Sequence, residues 1–467
     1  MFCLKGSAAT RHAASSPAIL SKNKSHSMKR IKVYLLALVS CAFSTTASAQ
    51  NVNEITVNDD RSGRKEVIDL PEGMTLNTDS LLNEWYAKKY LYPDTTCVNP
   101  DYNPPFPREV YRERLGRIPA VMEMPYNSIV QQFIDQYSGR LRRSVSYMLG
   151  AGNFYIPIFE EALDYYGLPL ELKYLPVIES ALEPTAVSRA GAVGLWQFML
   201  ATGKRYDLKV NSLVDERRDP IKSSWAAARY LRDLYKIYGD WNLVIAAYNC
   251  GPTKINKAIH RADGARDYWT IYPYLPQETR GYVPAFIAAN YIMTYYCEHN
   301  ICPMKTKIPD TTDTIMVSRN VHMEQISALC GIDVDAIRAL NPQYRTSVIP
   351  GQTEPCAIRL PQEKILAFID QKDSIYNYRA DELLTRRAVV AVNEAKPEPT
   401  RSTASQSRST VARNKRNRKS TERTATVRKG DSLSTIAARN HTTVAKIRKL
   451  NKIKGNMIKP GQKIRVK

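Results

Sequence analysis

A carboxylate set into an apolar helical run is the first group in this chain whose surroundings suggest chemistry. Between Leu172 and Gln197, residues Tyr174, Leu175, Ile178 and Leu182 recur at helix-face spacing, with Glu179 flanked by Val177, Ile178, Ala181 and Leu182. Loss of hydration disfavours the charged form, so this setting predicts a raised pKa. A carboxylic acid that stays protonated near neutral pH can give a proton to a leaving glycosidic oxygen. Pro184 is expected to end the helix. Residues 188–194 are small and polar enough to admit a bulky substrate before Leu195-Trp196-Gln197-Phe198 begins another apolar segment. The competing reading is a solvent-facing glutamate on an amphipathic helix, the common fate of charged side chains.

The elements around Glu179 must then supply its partners. Residues 103–107 form a proline-rich connector, and Tyr126-Asn127-Ser128 starts a helix with the stripe Ile129, Val130, Phe133 and Ile134. A further helix is read at 154–166, closed by Gly167-Leu168-Pro169. Asp215, Glu216 and Asp219 precede a helix at 221–238, where acidic residues cap and pair at a helix start rather than catalyse. The next helix starts at Asn242 and brings Tyr248 and Asn249 to its end before Gly251-Pro252; the last long one, 279–299, carries Tyr282 near its start. The chain has 28 tyrosines. A flat ring can stack on the apolar face of a pyranose while its hydroxyl bonds the rim, which makes Tyr248 and Tyr282 candidate sugar contacts. Trp196 reads as core.

Glu179-Ser180-Ala181, Ser188, the run Gly194 to Met199, Ala247-Tyr248-Asn249-Cys250-Gly251 and the run Glu278 to Pro284 occur in one order. Ser188 stands nine residues and Gln197 eighteen residues after Glu179. On these pieces the chain resembles the lytic transglycosylases of peptidoglycan, of the membrane-bound D type. The resemblance implies a mainly α, lysozyme-like helical catalytic domain. It also implies cleavage of the β-1,4 bond between N-acetylmuramic acid and N-acetylglucosamine without water, leaving 1,6-anhydromuramoyl ends. Glu179 would be acid and then base, with Ser188, Gln197, Tyr248, Asn249 and Tyr282 as substrate-binding residues and neither cofactor nor metal. Two rivals stand beside it: a goose-type muramidase delivering water to the same bond, and a non-catalytic peptidoglycan-binding protein.

A repeated pattern follows the helical text. Residues 425–467 read as strand, Gly-Asp turn, two helices, Pro-Gly turn and closing strand, and resemble the lysin motif, a small βααβ module that binds N-acetylglucosamine-containing glycans. The resemblance makes Gly430, Asp431, Ser432, Leu433, Pro460 and Gly461 its glycan-binding positions. Residues 312–365 carry the same order in degenerate form and lack the Gly-Asp turn, which leaves glycan binding there open. Residues 385–424 are a basic linker too poor in apolar side chains to order itself.

The remaining features bound the setting. A chain of 467 residues exceeds one ordinary core, and 43% hydrophobic residues with a mean hydropathy of -0.39 and 27 prolines suit helical domains joined by polar linkers. The net charge of +22 calls for polyanionic partners. Residues 1–49 read as a leader: Met28-Lys29-Arg30-Ile31-Lys32, an apolar run to Phe43 and Ala47-Ser48-Ala49 make a signal peptide starting at Met28. The alternative is a lipidated Cys41 after Leu38-Val39-Ser40, hence an outer-membrane lipoprotein. With export in front, the run 413–419 is read as adhering to anionic wall or membrane rather than to nucleic acid. The expected setting is a periplasmic monomer whose partners are peptidoglycan glycan strands (including the carboxylates of their stem peptides). Residues 50–105 are read as a polar connector, 106–165 as a helical lead-in and 166–305 as the catalytic domain. Cys330 and Cys356, in one small module, are the expected disulfide, and Cys250 reads as packing.

Overall fold

The computed structural model describes residues 53–77, 81, 91–306, 309, 311–384, 424–427, 431–440, 442–451, 453, 458–459 and 461–466. The residues read as a signal peptide, Cys41 and nearly all of the segment read as a basic linker lie outside them. The chain divides into two units, 1–397 and 398–467.

Helices Ser128–Ser138, Arg142–Tyr165, Pro220–Tyr238, Trp241–Cys250 and Gln277–Tyr295 build the first unit. Local chemistry sets their starts. Asn127 accepts from Val130 N at 2.9 Å, Asp240 from Leu243 N at 2.7 Å, and Asp219 from the backbone of Ile221 and Lys222, satisfying donors a helix leaves unpaired. The central Gln277–Tyr295 helix packs against Ser128–Ser138 and Trp241–Cys250 and buries Tyr282, Phe286 and Tyr291.

Residues 54–75, part of the segment expected to be a polar connector, are ordered. Strands Glu54–Asp59 and Arg64–Asp69 form an antiparallel hairpin, with Val57 and Ile68 fully buried. The hairpin is fixed to the N-terminal end of the central helix: Glu66 takes the Arg280 guanidinium and the Tyr272 hydroxyl, and Gln277 Nε2 donates to Val67 O at 2.6 Å. The short helix Glu72–Thr75 follows and lies against the Glu179 segment. Contact there is backbone to backbone, since a Cβ at Gly73 would stand 2.6 Å from Val177 O.

The helix bearing Glu179, Leu175–Ser180, ends before the expected stop at Pro184. Ala181 and Leu182 are both left-handed, with φ of 49° and 63°. Both are fully buried, so packing of their side chains holds a turn that their types would not choose alone.

The expected Cys330–Cys356 disulfide is not formed. Cys330 ends the helix Met323–Cys330 and Cys356 opens the strand Cys356–Pro361; each thiol is free and buried, and burial pushes both pKa values up. Cys97 and Cys302 pair instead across a sequence separation of 205, beside the two-stranded sheet of Leu91–Pro93 and Met304–Thr306.

Residues 312–361 fold as two helices between two pairs of strands, ββααββ, two strands more than the expected βααβ. Strand Thr312–Val317 pairs antiparallel with Cys356–Pro361 and Asn320–His322 with Val348–Pro350, around helices Met323–Cys330 and Val334–Leu340. This module joins the helical part through its backbone, with Asp215 N to Gln343 O and Arg345 N to Leu213 O, both 2.9 Å. In the second unit, strands Thr424–Thr426 and Lys463–Arg465 flank helices Leu433–Arg439 and Val444–Asn451 over a core of Val427, Leu433, Ile436, Ile447 and Ile464. One device repeats in both modules. Asn341 bonds Ile337 O and both backbone groups of Arg359, and Asn451 bonds Ile447 O and both backbone groups of Arg465. Each asparagine, which follows a leucine in both modules (Leu340-Asn341 and Leu450-Asn451), ties its second helix to the closing strand.

Candidate active site

Glu179 sits one residue before the end of its helix, partly exposed, with its carboxyl against the central helix. The buried Tyr282 hydroxyl donates to Glu179 Oε1. Desolvation pushes the Glu179 pKa up to about 8; the Tyr282 bond opposes that, while the charges of Glu72 and Glu278 add to it. The group is therefore protonated at neutral pH and close enough to its titration point to give up a proton and take it back.

The loop 183–198 follows the Glu179 helix and is bonded to it. Val193 and Phe198 exchange backbone hydrogen bonds at 3.1 Å, Gly194 N reaches Ala186 O at 2.9 Å and Ser188 N reaches Ala192 O at 2.9 Å. Ser188 is buried, and its Oγ accepts from Ala192 N at 2.9 Å, so it shapes the loop. Gln197, at φ 46°, donates from Nε2 to Gly194 O at 2.8 Å, while its Oε1 is buried with no partner among the described residues. Such an orphan acceptor costs about 1–3 kcal/mol unless a ligand satisfies it. Ser180 Oγ bonds Leu195 O at 2.9 Å and so fastens the Glu179 helix to this loop.

Tyr248 is half-buried and donates to Trp196 O at 2.7 Å; it also lies within electrostatic reach of Glu179. Asn249 Oδ1 accepts from Thr279 Oγ1 at 2.9 Å. Glu179 thus has Tyr282 as its hydrogen-bond partner and Tyr248 within electrostatic reach, Tyr248 and Gln197 both bond the loop 183–198, Ser188 holds that loop, and Asn249 bonds the start of the central helix. Trp196 is fully buried and donates to Ser224 Oγ at 2.9 Å. The acidic cluster is structural: Arg217 holds both oxygens of Asp215 at 2.9 and 2.8 Å, and Glu216 pairs with Lys222. The same Arg217 donates to Gly191 O and Phe198 O and clamps the loop.

Sequence reading missed Glu72. It lies in the segment taken as connector, accepts from Arg189 N at 3.2 Å, and contributes charge to Glu179. Desolvation raises its own pKa, against the Arg189 hydrogen bond and charge. Nothing in one sequence points from residue 72 to residue 179; only the approach at Gly73 makes them neighbours. Glu72→Gln removes a negative charge beside Glu179 and is expected to lower the Glu179 pKa. The alkaline limb of the pH–rate profile should move to lower pH with the acidic plateau unchanged, as measured on a soluble glycan between pH 5 and 10. An unmoved limb would remove Glu72 from the site.

In the second unit Asp431 accepts two bonds from Arg439 at 3.2 and 2.7 Å, Ser432 Oγ accepts from Thr435 N at 3.2 Å, and Leu433 is buried in the core. Gly461 lies in the turn before the closing strand, and Gly430 and Pro460 fall outside the described residues.

Residues 156–271 match the transglycosylase SLT domain, 311–377 the LysM-like domain of lytic transglycosylase MltD and 425–467 the LysM domain. Membrane-bound lytic murein transglycosylase D of Escherichia coli (strain K12) is 31% identical over 311 residues, 64% of this chain and 60% of that protein. Peptidoglycan transglycosylase gp16 of Escherichia phage T7 is 32% identical over 132 residues, 28% of this chain and 10% of its own. The 70 kDa soluble lytic transglycosylase SLT70 of Escherichia coli matches at 25% identity over 32% of this chain and 25% of its own, with a TM-score of 0.28. The chain spans 60% of the length of the first of these relatives. The chain therefore carries a transglycosylase SLT domain whose span includes Glu179, followed in order by two LysM-type modules, and over 311 residues it is similar to membrane-bound lytic murein transglycosylase D.

Proposed function

We propose that the chain is a peptidoglycan lytic transglycosylase. The observation that carries this reading is a single carboxyl, Glu179, held in its acid form by desolvation and bonded by Tyr282 at the edge of a loop with an unused acceptor. Glu179 gives its proton to the glycosidic oxygen as the bond from that oxygen to the muramoyl C1 breaks. The C6 hydroxyl of the same sugar then attacks C1, and its proton returns to the Glu179 carboxylate. A 1,6-anhydro ring closes, no water is consumed and the acid is restored. One residue suffices because the nucleophile is part of the substrate, where effective molarity is high. The muramoyl N-acetyl group assists at C1, as in the family the sequence resembles. Gln197 Oε1 and the ring of Tyr248 position the sugars, and Tyr282 positions Glu179.

The C-terminal module, with Asp431, Ser432 and Gly461 in its turns, holds glycan strands, and the basic linker adheres to anionic wall or membrane. An exported, envelope-associated location suits the Cys97–Cys302 disulfide, a bond of oxidising compartments. No helix among the described residues is long and apolar enough to cross a membrane.

Product analysis tests the reaction. Sacculi incubated with the protein should release muropeptides whose reducing ends are lighter by one water than hydrolysed ends. Hydrolysed ends alone would make the protein a muramidase, and no release would leave a wall-binding protein.

A further inference from the structure

A cavity of about 380 Å³ lies where the helical part meets the first LysM-type module, both within the first unit. That volume is in the range of small-ligand sites. Its charged lining is basic: Arg218 comes from the segment before the Pro220–Tyr238 helix, and Arg338 and Arg345 come from the module. These guanidiniums differ in what they already hold. Arg338 bonds Asp335 Oδ1 at 2.9 Å and Ser347 Oγ at 3.2 Å. Arg218 has Asp215 and Glu183 within electrostatic reach, yet both are engaged elsewhere. Asp215 gives both oxygens to Arg217, and Glu183 Oε1 accepts from Thr185 N at 2.9 Å and from Thr185 Oγ1 at 2.6 Å. The Arg218 Nε is buried with no hydrogen-bond partner among the described residues, and the exposed Arg345 is near enough to repel it.

A partly buried guanidinium with an orphan donor, beside a second cation, is an unfavourable arrangement that an anion between them would relieve. The planar fork of arginine suits a carboxylate, which two such groups can grip from two sides. Thr185 also lines the cavity, and Ala186, the next residue, accepts from Gly194 N at 2.9 Å and Gln197 Nε2 at 3.4 Å. One loop therefore has the Gln197 subsite on one side and the basic cavity on the other.

We propose that this cavity binds a carboxylate of the peptide branches of peptidoglycan while the glycan lies along Glu179. The assignment rests on peptidoglycan being the substrate, but its test needs no cleavage. The intact chain is titrated calorimetrically with three probes: a glycan-free stem peptide with free carboxylates, the same peptide fully amidated, and inorganic phosphate. The free peptide is expected to bind and the amidated one to bind at least about tenfold more weakly, the loss of one charge-assisted hydrogen bond. Arg345→Gln, at an exposed side chain, should weaken the free peptide about tenfold while leaving circular dichroism and binding to peptide-free glycan unchanged. Arg218→Gln should weaken the peptide at least as much. Equal binding of the two peptides, insensitivity to Arg345→Gln, or binding of phosphate without peptide would each overturn the proposal. Failure of the lytic reading would appear separately, as hydrolysed ends with peptide binding intact.

Discussion

Glu179→Gln is expected to lower the yield of anhydro-muropeptides from sacculi by at least about 10²–10⁴-fold, the usual contribution of general acid–base catalysis. The amide keeps the shape of the carboxyl and its hydrogen bond with Tyr282 but can neither give the proton nor take it back, so both halves of the cycle fail. Folding and glycan binding should persist, checked by circular dichroism and by pull-down on sacculi. A folded, binding-competent variant with near wild-type yield would remove Glu179 as the catalyst.

The same substitution has a signed effect on stability. Glu179 titrates near 8 in the fold, against an ordinary value of 4.5. Between those values the folded chain holds a proton that the unfolded chain has released, so stability falls as pH rises through the window and levels off above it. Glutamine has no such dependence. The variant should therefore gain on the wild type from about pH 5 to pH 8, by on the order of a few kcal/mol at most given partial exposure. Wild-type turnover should fall above about pH 8, where the acid form is lost.

How much of this was legible in the sequence depends on how local each cause is. The apolar neighbours of Glu179 are adjacent in sequence, so its raised pKa could be read from the text. The helix starts at Asn127 and Asp219 were legible too, because capping acts within three residues. The two helices between strands in both modules showed in the repeated order of their segments. The early end of the Glu179 helix did not. Ala181 and Leu182 are held left-handed by burial, and neither residue type announces that conformation. The hairpin 54–69 was hidden for a related reason: its strands are six residues each and mostly polar, and they are fixed by Arg280, Tyr272 and Gln277 more than two hundred residues away. The Cys97–Cys302 bond joins segments that only the paired strands 91–93 and 304–306 bring together. Sequence proximity favoured Cys330 and Cys356, whereas the fold buries those thiols separately.

The loop that carries Gln197 gives the second large expected effect. Gly194 has φ 88°, and a Cβ there would stand 1.9 Å from Arg217 O, a backbone atom next to the clamp that Arg217 makes on Gly191 and Phe198. Gly191 has nearly the same conformation, φ 85°, but nothing lies within 4 Å of its would-be Cβ. The two glycines therefore separate conformational strain from collision. Gly191→Ala should cost only the backbone term, about 1 kcal/mol, with activity close to wild type. Gly194→Ala adds an overlap that no side-chain rotation can relieve, so either the loop or the 217–218 backbone must move. A loss on the order of 3 kcal/mol or more is expected, read as a lower melting temperature. Turnover should drop by at least about tenfold even where the variant is folded, since a displacement near 1 Å in a positioning group can cost about 10² in rate. Gln197 Nε2 bonds the carbonyl of Gly194 itself, so the displacement passes directly to the subsite. Equal melting temperatures and rates for the two alanine variants would show that the contact with Arg217 does not set the loop.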